Sequence, residues 1–292
     1  MTAASRKKVL IAPQHWGLGH VTRTIPVIRY FLNKNFEVVL ASSGAGSDLL
    51  RKEFPYLTVF DIPDYGITYP SRNMFWNMTF QIFKLHKAIL LEKMAIGKIC
   101  KEQNIDLLVS DARLGAAQKS IPSVIISHHL HIPLGSRIIE FISDTWMRFF
   151  YMQFDQIWVP DFGGPHNLSG DLAHRFKSGK HHFIGPLSRF RFMNLPQRYD
   201  LCFVLSGPEP QRTFFEEKIL SQIDGLSPRR MLLIRGTTAG VGIPQSTHLE
   251  VRDLVTSEEL NEIMCASGLI VCRSGYSTLL DLSVIQKKAL LI

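Results

Sequence analysis

The segment that most constrains the fold is the last one, where a short apolar run, a turn of small residues, a helical pattern and a second apolar run follow one another. Leu269–Cys272 consists of aliphatic and β-branched residues with a cysteine, as expected of a strand buried on both faces. Arg273–Thr278 forms the turn, Leu279–Ile285 carries an apolar helical stripe, and Ala289–Ile292 is the next strand. This order predicts a βαβ unit of a parallel sheet.

The turn in front of this helix is suited to binding an anion. The first N–H groups of a helix have no partner inside the helix, and the helix dipole adds positive charge there. Asp281, three residues after Thr278, is placed to accept hydrogen bonds from the hydroxyls of a sugar. The segment therefore predicts a site for a phosphate-bearing ligand such as a nucleotide. The alternative is an ordinary βαβ unit whose Ser and Thr side chains only cap the helix.

The first half of the chain begins with a similar unit. The strand Val9–Pro13 leads into the loop Gln14–His20 and the helix Val21–Asn33. A glycine-containing loop at this place suggests a dinucleotide fold, but Thr22 stands where the third glycine of that motif would be. The second strand, Phe36–Ala41, has no acidic residue at its end to bind an adenine ribose. A dehydrogenase is therefore disfavoured.

Two residues of this half are candidates for acid–base chemistry. His20 ends the glycine-containing loop, and the near-neutral pKa of histidine suits removal of a proton from a hydroxyl. Asp111 ends the strand Ile105–Asp111, and the carboxyl ends of strands face the ligand in an open α/β sheet. We predict His20 as a general base and Asp111 as its helper. The alternative is that both residues only cap backbone groups.

A group of histidines follows the next strand, Ile121–Ile126. His128, His129 and His131 suggest zinc, but no Cys or Glu close by completes a set of four ligands. We therefore predict no metal site.

The composition limits the class of protein. The 292 residues include 33 Lys and Arg and 25 Asp and Glu, a net charge of +8. This charge favours an anionic partner such as a nucleotide or acidic lipid, whereas no basic run interleaved with aromatic residues indicates nucleic acid. The four cysteines lack metal-ligand spacing, and neither a signal peptide nor an apolar stretch of about 18 residues is found. We expect a reduced, cytoplasmic protein.

Two long helical patterns give the first half a basic and apolar character. Asn73–Gln103 has an apolar stripe among lysines, and Ile132–Phe154 is apolar and contains Trp146 and Phe149. The first pattern predicts either peripheral contact with acidic lipid on the inner face of the cell membrane or a helix that packs on the sheet with its lysines in water. Together the two patterns leave room for a lipid-linked acceptor.

The second half repeats the order of strand, polar loop and helix. The strand Leu201–Leu205 is followed by Ser206 and Gly207, and Arg212 lies at the end of the same loop. Arg235 follows the next strand. Arg235 and Arg273 either add positive charge near a bound diphosphate or are solvated surface arginines.

The domain boundary is predicted where periodicity stops. Residues 188–198 contain Pro196 and three arginines. We predict a first domain at 1–187, a linker at 188–198 and a second domain at 199–292.

Three of these segments resemble GT-B glycosyltransferases, in particular the bacterial family that transfers N-acetylglucosamine to make peptidoglycan lipid II, and its uncharacterised bacterial and archaeal relatives. The segments are Gly17–His20, Ser206–Arg212 and Cys272–Asp281. The resemblance implies two Rossmann-like α/β domains that face each other across a cleft, with the acceptor on the first and the donor nucleotide on the second. Asp281 stands where the family usually has Glu, and Tyr276 replaces a small residue.

The resemblance also implies roles for the matching residues. The turn after the last βαβ strand faces the diphosphate, and Asp281 holds the ribose. With the two arginines named above, the donor site comprises Ser206, Gly207, Arg212, Arg235, Arg273, Ser274, Gly275, Tyr276, Ser277, Thr278 and Asp281. The acceptor-side loops contain Gly17, Gly19, His128 and His129. The family's donor domain continues past Ala289–Ile292, so the resemblance implies a truncated second domain and leaves the activity of the chain as written open.

The function implied is transfer of a hexose, N-acetylglucosamine or another, from a UDP-sugar to the hydroxyl of a sugar or lipid-linked acceptor. We expect inversion of the anomeric centre without a metal or cofactor, because arginines and helix N-termini can stabilise the departing diphosphate. Two alternatives stay open. A UDP-sugar 2-epimerase would need carboxylates around the sugar ring, which the sequence does not clearly display. A non-catalytic protein that binds sugar nucleotides or lipid is the other.

Overall fold

The computed structural model describes residues 6–15, 18–66, 74–207, 210–226, 229–237 and 247–292, with the side chains of 74–82 left aside. The chain divides into two compact units, Met1–Leu187 and Ser188–Ile292. Each unit is an α/β layer structure built on a parallel sheet. No helix of the described residues is long and apolar enough to cross a membrane.

The first unit contains a seven-stranded parallel sheet. In chain order its elements are β1 (Lys8–Pro13), α1 (Leu18–Asn33), β2 (Glu37–Ser42), α2 (Gly44–Glu53), β3 (Thr58–Asp61), α3 (Met74–Gln103), β4 (Leu107–Asp111), β5 (Ser123–Ile126), α4 (Arg137–Tyr151), β6 (Gln156–Val159), α5 (Asp171–His174) and β7 (His181–Phe183). The strand order is β3-β2-β1-β4-β5-β6-β7.

The order reverses between β1 and β4, and this position determines where a ligand can bind. The crossover after β1 leads outward to β2 and β3, whereas β4 begins the other half of the sheet. Ligands of open α/β sheets bind outside the carboxyl ends of the strands at such a switch point. Pro13 at the end of β1 is paired in register with Asp111 at the end of β4.

The alternation of side chains along the strands explains why both faces of this sheet are covered. Val9 and Ile11 point to the face packed by α1 and α2, whereas Leu10 and Ala12 point to the face packed by α3 and α4. All four side chains are fully buried. A strand buried on both faces is read in the sequence as a continuous apolar run.

The second unit contains a five-stranded parallel sheet. In chain order its elements are β8 (Tyr199–Val204), α6 (Gln211–Leu220), a 3-10 turn (Ile223–Leu226), β9 (Met231–Ile234), β10 (Leu249–Arg252), α7 (Ser257–Cys265), β11 (Ser267–Cys272), α8 (Tyr276–Ile285) and β12 (Ala289–Leu291). The strand order is β10-β9-β8-β11-β12, so the switch point lies between β8 and β11. Val204 and Cys272, at the carboxyl ends of these two strands, are paired in register.

Residues 188–198, the predicted linker, pack on the second unit. Phe190 is buried in the core formed by the faces of β8, β11 and α7. The hydroxyl of Ser188 donates to Asp281 Oδ1 on α8 at 2.5 Å, and the backbone N–H of Arg191 donates to Asn261 Oδ1 on α7 at 3.2 Å. The segment therefore forms the first part of the second unit, although it contains no helix or strand.

Candidate functional site

The switch point of the first sheet brings His20 and Asp111 together. His20 lies in the first turn of α1, which begins at Leu18 rather than at the predicted Val21. Its Nδ1 atom is 2.7 Å from Asp111 Oδ1 at the end of β4. The Asp111 side chain is fully buried and that of His20 is 15% exposed. A histidine and a carboxylate far apart in sequence thus form a pair at the ligand-facing edge of the sheet.

A buried arginine completes this pair. Arg23 lies one turn after His20 on α1, so both side chains leave the same face of the helix. Its Nε donates to Asp111 Oδ2 at 2.5 Å, and one Nη donates to Asp111 Oδ1. The side chain is 2% exposed. The guanidinium therefore grips both oxygens of the carboxylate in a two-pronged ion pair.

The short contact between His20 and Asp111 determines which ring nitrogen carries the proton. An ionised carboxylate only accepts hydrogen bonds, so a nitrogen 2.7 Å from its oxygen must donate. One Nη of Arg23 also lies within hydrogen-bond distance of this nitrogen, at 2.9 Å, but a lone pair on Nδ1 would face the Asp111 carboxylate oxygen at the shorter distance of 2.7 Å and be repelled by it. His20 is therefore protonated on Nδ1 when neutral, and its Nε2 carries a lone pair.

The charges around the pair favour this neutral histidine. Burial and the neighbouring Arg23 cation lower the pKa of His20 below its ordinary 6.5, and they outweigh the opposing effect of Asp111. Burial alone raises the pKa of the Asp111 carboxyl, but Arg23 and His20 bring it below the ordinary value. At neutral pH the site therefore contains an ionised carboxylate, a charged arginine and a histidine able to take up a proton.

The loop after β5 joins the same cluster. His128 is buried, and its Nδ1 accepts from the second Nη of Arg23 at 2.8 Å. The ring of His129 is exposed and lies 3.9 Å, centroid to centroid, from that of His128. The hydroxyl of Tyr151 on α4 donates to the carbonyl of His129 at 2.8 Å and fixes the loop from behind. Of the predicted acceptor-side residues, His128 thus reaches the catalytic candidates through Arg23.

Of the two glycines predicted in the first loop, the structure describes only Gly19. Gly17 lies outside the described residues. Gly19 is the second residue of α1, and its carbonyl accepts from the hydroxyl of Thr22 at 3.1 Å. The predicted loop is therefore shorter than expected, because the helix includes Gly19.

A second buried ion pair supports the end of β1. Arg113 and Glu92 are fully buried, with Nη1 2.7 Å from Oε1. Arg113 also donates through Nε to the carbonyl of Pro13 at 2.9 Å and through Nη2 to the hydroxyl of Ser43 at 2.9 Å. Tyr65 donates to the other oxygen of Glu92 at 2.6 Å. This network holds the strand ends that position His20 and Asp111.

The switch point of the second sheet carries the two segments expected to bind a nucleotide. Ser206 and Gly207 follow β8, and the turn Arg273–Gly275 follows β11. Gly207 has φ +106°, and a side chain there would collide with the guanidinium of Arg273. The positive φ therefore favours glycine at this position, and a side chain here would displace the guanidinium of Arg273.

The beginning of α8 is open to an anion. Ser274 and Gly275 are exposed, and Gly275 is the residue that precedes the helix. The N-cap residue, Gly275, has no side chain with which to cap the helix, and the alternative in which the Ser and Thr side chains of the turn only cap it stays open. Arg273 Nη1 is buried, and among the described residues it has no hydrogen-bond partner. A helix N-terminus that begins with glycine, close in sequence to an unsatisfied guanidinium, favours an anionic ligand.

Two other arginines of the predicted donor site are already paired. Glu216 on α6 accepts from Arg212 Nη1 at 2.5 Å and from Arg235 Nε at 2.6 Å, and all three side chains are buried. Arg235 also contacts Asp253 at 2.8 Å. Contact of Arg212 and Arg235 with a diphosphate stays a prediction, and Glu216 would compete with that ligand for both guanidinium groups.

Asp281 lies in the middle of α8 and faces residues 188–189. Burial raises the pKa of its carboxyl from 3.8 to about 6, although Ser188 and Arg189 act in the opposite direction. Its predicted contact with ribose hydroxyls stays a prediction. The described residues contain no group of three or more His, Cys, Asp or Glu side chains that could hold a metal ion, and the four cysteines are free and buried.

Comparison with known proteins identifies the fold. No family model matches the sequence, and no curated protein matches it. Among solved structures, the chain is similar to MurG of Acinetobacter baumannii, with a TM-score of 0.54, 13% identity, and coverage of 99% of this chain and 78% of the other. It is also similar to Arabidopsis thaliana UGT89C1 in complex with UDP-L-rhamnose (TM-score 0.62, 12% identity, coverage 99% and 80%). A third similar structure is the spinosyn rhamnosyltransferase SpnG with thymidine diphosphate (TM-score 0.60, 12% identity, coverage 97% of this chain and 80% of the other). The chain has the GT-B fold shared by these glycosyltransferases.

Proposed function

We propose that the protein transfers a sugar from a nucleoside-diphosphate sugar to an acceptor hydroxyl, with inversion of the anomeric centre and without a metal. The observation that carries this proposal is the His20–Asp111 pair at the switch point of the first sheet. The GT-B fold and the resemblance of three segments to a hexosyltransferase family support the same reaction. UDP is the expected nucleotide, and the sugar is N-acetylglucosamine or another hexose.

The proposed chemistry is one proton transfer and one displacement. His20 Nε2 takes the proton of the acceptor hydroxyl, and the oxygen forms a bond to the anomeric carbon as the bond to the diphosphate oxygen breaks. The electron pair of that bond leaves with the nucleoside diphosphate. The Asp111 carboxylate, bonded to Nδ1–H, then stabilises the imidazolium that has formed. Attack from the side opposite the leaving group inverts the anomeric configuration.

The second unit is proposed to bind the donor. The N–H groups at the N-terminus of α8, which begins after Gly275, and the Nη1 of Arg273, which has no partner among the described residues, would donate to diphosphate oxygens and stabilise the charge that develops on the leaving group. Gly207 allows the approach of Arg273 to this place. Asp281 would accept from the ribose hydroxyls. Two of the similar structures are complexes with UDP-L-rhamnose and with thymidine diphosphate, so both nucleotides belong in a test.

An acidic bilayer is the proposed peripheral partner, with helix α4 as the contacting element. Four large apolar side chains on α4 are more than half exposed: Ile138, Phe141, Ile142 and Phe149. A cavity of about 410 Å³ beside this face is lined by cationic side chains, Arg137, Arg148, Arg175 and Lys177, and by Asp144, which is held by His131. Apolar side chains surrounded by cations match the boundary of an anionic membrane. A lipid-linked acceptor would be met at such a surface.

The proposal is tested by incubating the purified protein with UDP- and dTDP-sugars and a panel of lipid-linked and soluble acceptors. We expect release of nucleoside diphosphate that depends on the acceptor, and a product of inverted configuration by NMR. Recovery of isomerised donor would indicate an epimerase. Tight nucleotide binding without turnover under any of these conditions would contradict the transferase and favour a sugar-nucleotide-binding protein.

A further inference from the structure

We propose that Arg23 is a positioning residue that keeps His20 neutral and ties it to the acceptor-side loop, by gripping Asp111 with one side of its guanidinium and His128 with the other. This inference rests on the proposed role of His20 as the base. Neither the residue pattern nor the resemblance indicated a role for Arg23.

The hydrogen bonds of Arg23 fix the position of its guanidinium. Nε and one Nη of Arg23 bind the two oxygens of Asp111, and the remaining Nη binds His128 Nδ1 at 2.8 Å. The three elements joined in this way are α1, the end of β4 and the loop after β5. A lysine could supply the charge, but its three donors lie on one nitrogen at the end of a flexible chain and so lack the fixed, separated positions of the guanidinium nitrogens.

The charge of Arg23 matters because the site is buried. A buried histidine that faces a carboxylate alone would gain from becoming an imidazolium, since the two would form an ion pair. Such a histidine could not act as a base near neutral pH. With Arg23 present, the carboxylate is already neutralised, so protonation of His20 would add an uncompensated positive charge to a site with little water. Arg23 therefore keeps the Nε2 lone pair available.

The other charged and titratable groups that act on His20 support the same direction. Arg113, which follows β4, adds a second positive charge that disfavours the imidazolium. Burial lowers the pKa of His128 well below 6.5, so this ring adds no charge at neutral pH. The charged and titratable groups that interact with His20 are therefore Asp111, Arg23, Arg113, His128 and His129. Asp111 is the only one of them that favours the charged form of His20.

The contact with His128 gives Arg23 a second effect. Because a guanidinium only donates, His128 Nδ1 must accept and the ring must be protonated on Nε2. The loop after β5 is thereby attached to the same cation that orients Asp111. A change at Arg23 should therefore disturb both the base and the loop predicted to hold the acceptor.

The test is a titration of the His20 ring by NMR in the wild type and in the variants Arg23→Gln and Arg23→Lys, with the signal assigned from His20→Gln. We expect a pKa below 6.5 in the wild type, a rise of about one unit or more in Arg23→Gln, and a value close to the wild type in Arg23→Lys. A wild-type His20 that titrates at or above 6.5 overturns the inference, whether or not Arg23→Gln folds. An unchanged His20 pKa in folded Arg23→Gln also overturns it.

An activity measurement separates positioning from a purely structural role. In Arg23→Gln the acid limb of the pH profile of kcat/KM should move to higher pH, and in Arg23→Lys the limb should stay while kcat falls about tenfold or more. A uniform loss of activity at every pH in Arg23→Gln, without movement of the limb, would contradict the inference. The NMR titration needs no substrate, so it still judges Arg23 if the transferase proposal itself fails.

Discussion

Replacing Asp281 by Asn should stabilise the second unit at neutral and alkaline pH. The carboxyl has a pKa of about 6 in the folded protein against 3.8 ordinarily, because burial penalises its charged form. Between these two pH values the folded state holds a proton that the unfolded state has lost, so stability falls as the pH rises through this window. The difference corresponds to about 3 kcal/mol at pH 8 and falls to about 0.6 kcal/mol at pH 4.

The geometry makes Asn the informative substitution. Ser188 donates to Asp281 Oδ1, and the carbonyl oxygen of an Asn side chain can accept the same hydrogen bond. The change therefore removes the buried charge and keeps the contact with residues 188–198. We expect Asp281→Asn to raise the free energy of unfolding of the second unit by up to about 3 kcal/mol at pH 8.

Hydrogen exchange of amides in β11 and α8 is the appropriate assay. The four tryptophans of the chain all precede Ser188, so their fluorescence reports on the first unit only. The matched control is Asp224→Asn, an exposed aspartate of the same unit, which should leave protection unchanged at both pH values. Equal protection of wild type and Asp281→Asn at pH 8, or a gain in protection as large at pH 4 as at pH 8, would contradict this expectation. If Asp281 holds the ribose, the more stable variant should also bind UDP more weakly, about tenfold.

Three further changes test the proposed roles of Asp111, of Arg273 and of the exposed apolar side chains of α4. Asp111→Asn should lower kcat by about a hundredfold or more, because the amide oxygen can accept the hydrogen bond from Nδ1–H of His20 but cannot stabilise the imidazolium. Steady-state kinetics measure this effect, and the control is His182→Gln, a change at an exposed histidine. Arg273→Gln should weaken UDP binding by about tenfold in calorimetry, since a charged donor to the diphosphate is lost; unchanged affinity would exclude it from the site. The double change Phe141→Ser and Ile142→Ser should reduce sedimentation with vesicles that contain phosphatidylglycerol, whereas neutral phosphatidylcholine vesicles should bind neither protein; equal binding of both proteins to acidic vesicles would exclude α4.

Much of the fold could be predicted from the chain because its strands are buried on both faces. Such strands are read as short apolar runs between polar turns, and Met231–Ile234 was located to the residue in this way. Helix α2 was not predicted, since Gly44 and Gly46 lower the helical propensity of its first turn. The strand β7 was also missed, because two of its three residues are histidines.

Only those residues of the candidate site that a local sequence pattern indicates could be predicted. His20 and Asp111 could be named because His20 follows one strand and Asp111 ends another, and the carboxyl ends of parallel strands meet at one edge. Arg23 was missed because it lies inside a helical apolar stripe, and its partners Asp111 and His128 are about 90 and 100 positions away in sequence. The charge of residue 23 on a buried stripe, one turn after His20, was the signal that could have revealed it.

The ion pairs of Arg235 in the second unit could not be predicted either, because they too join residues that are not neighbours in sequence. Arg212 was expected near a diphosphate, and Arg235 either near it or in solvent, yet both bind Glu216, which nothing in the sequence connects to Arg235. A buried carboxylate requires cationic partners, but a sequence does not show which cations the packing brings to it.

His20 is proposed to be the base of a sugar transfer, and a comparison of His20→Gln with the wild type in kcat and in donor affinity tests this role. We expect kcat to fall by about a hundredfold or more while the Kd for the nucleotide stays within about twofold, because the base acts on the acceptor and the nucleotide binds the second unit. A variant that transfers sugar at the wild-type rate would contradict it.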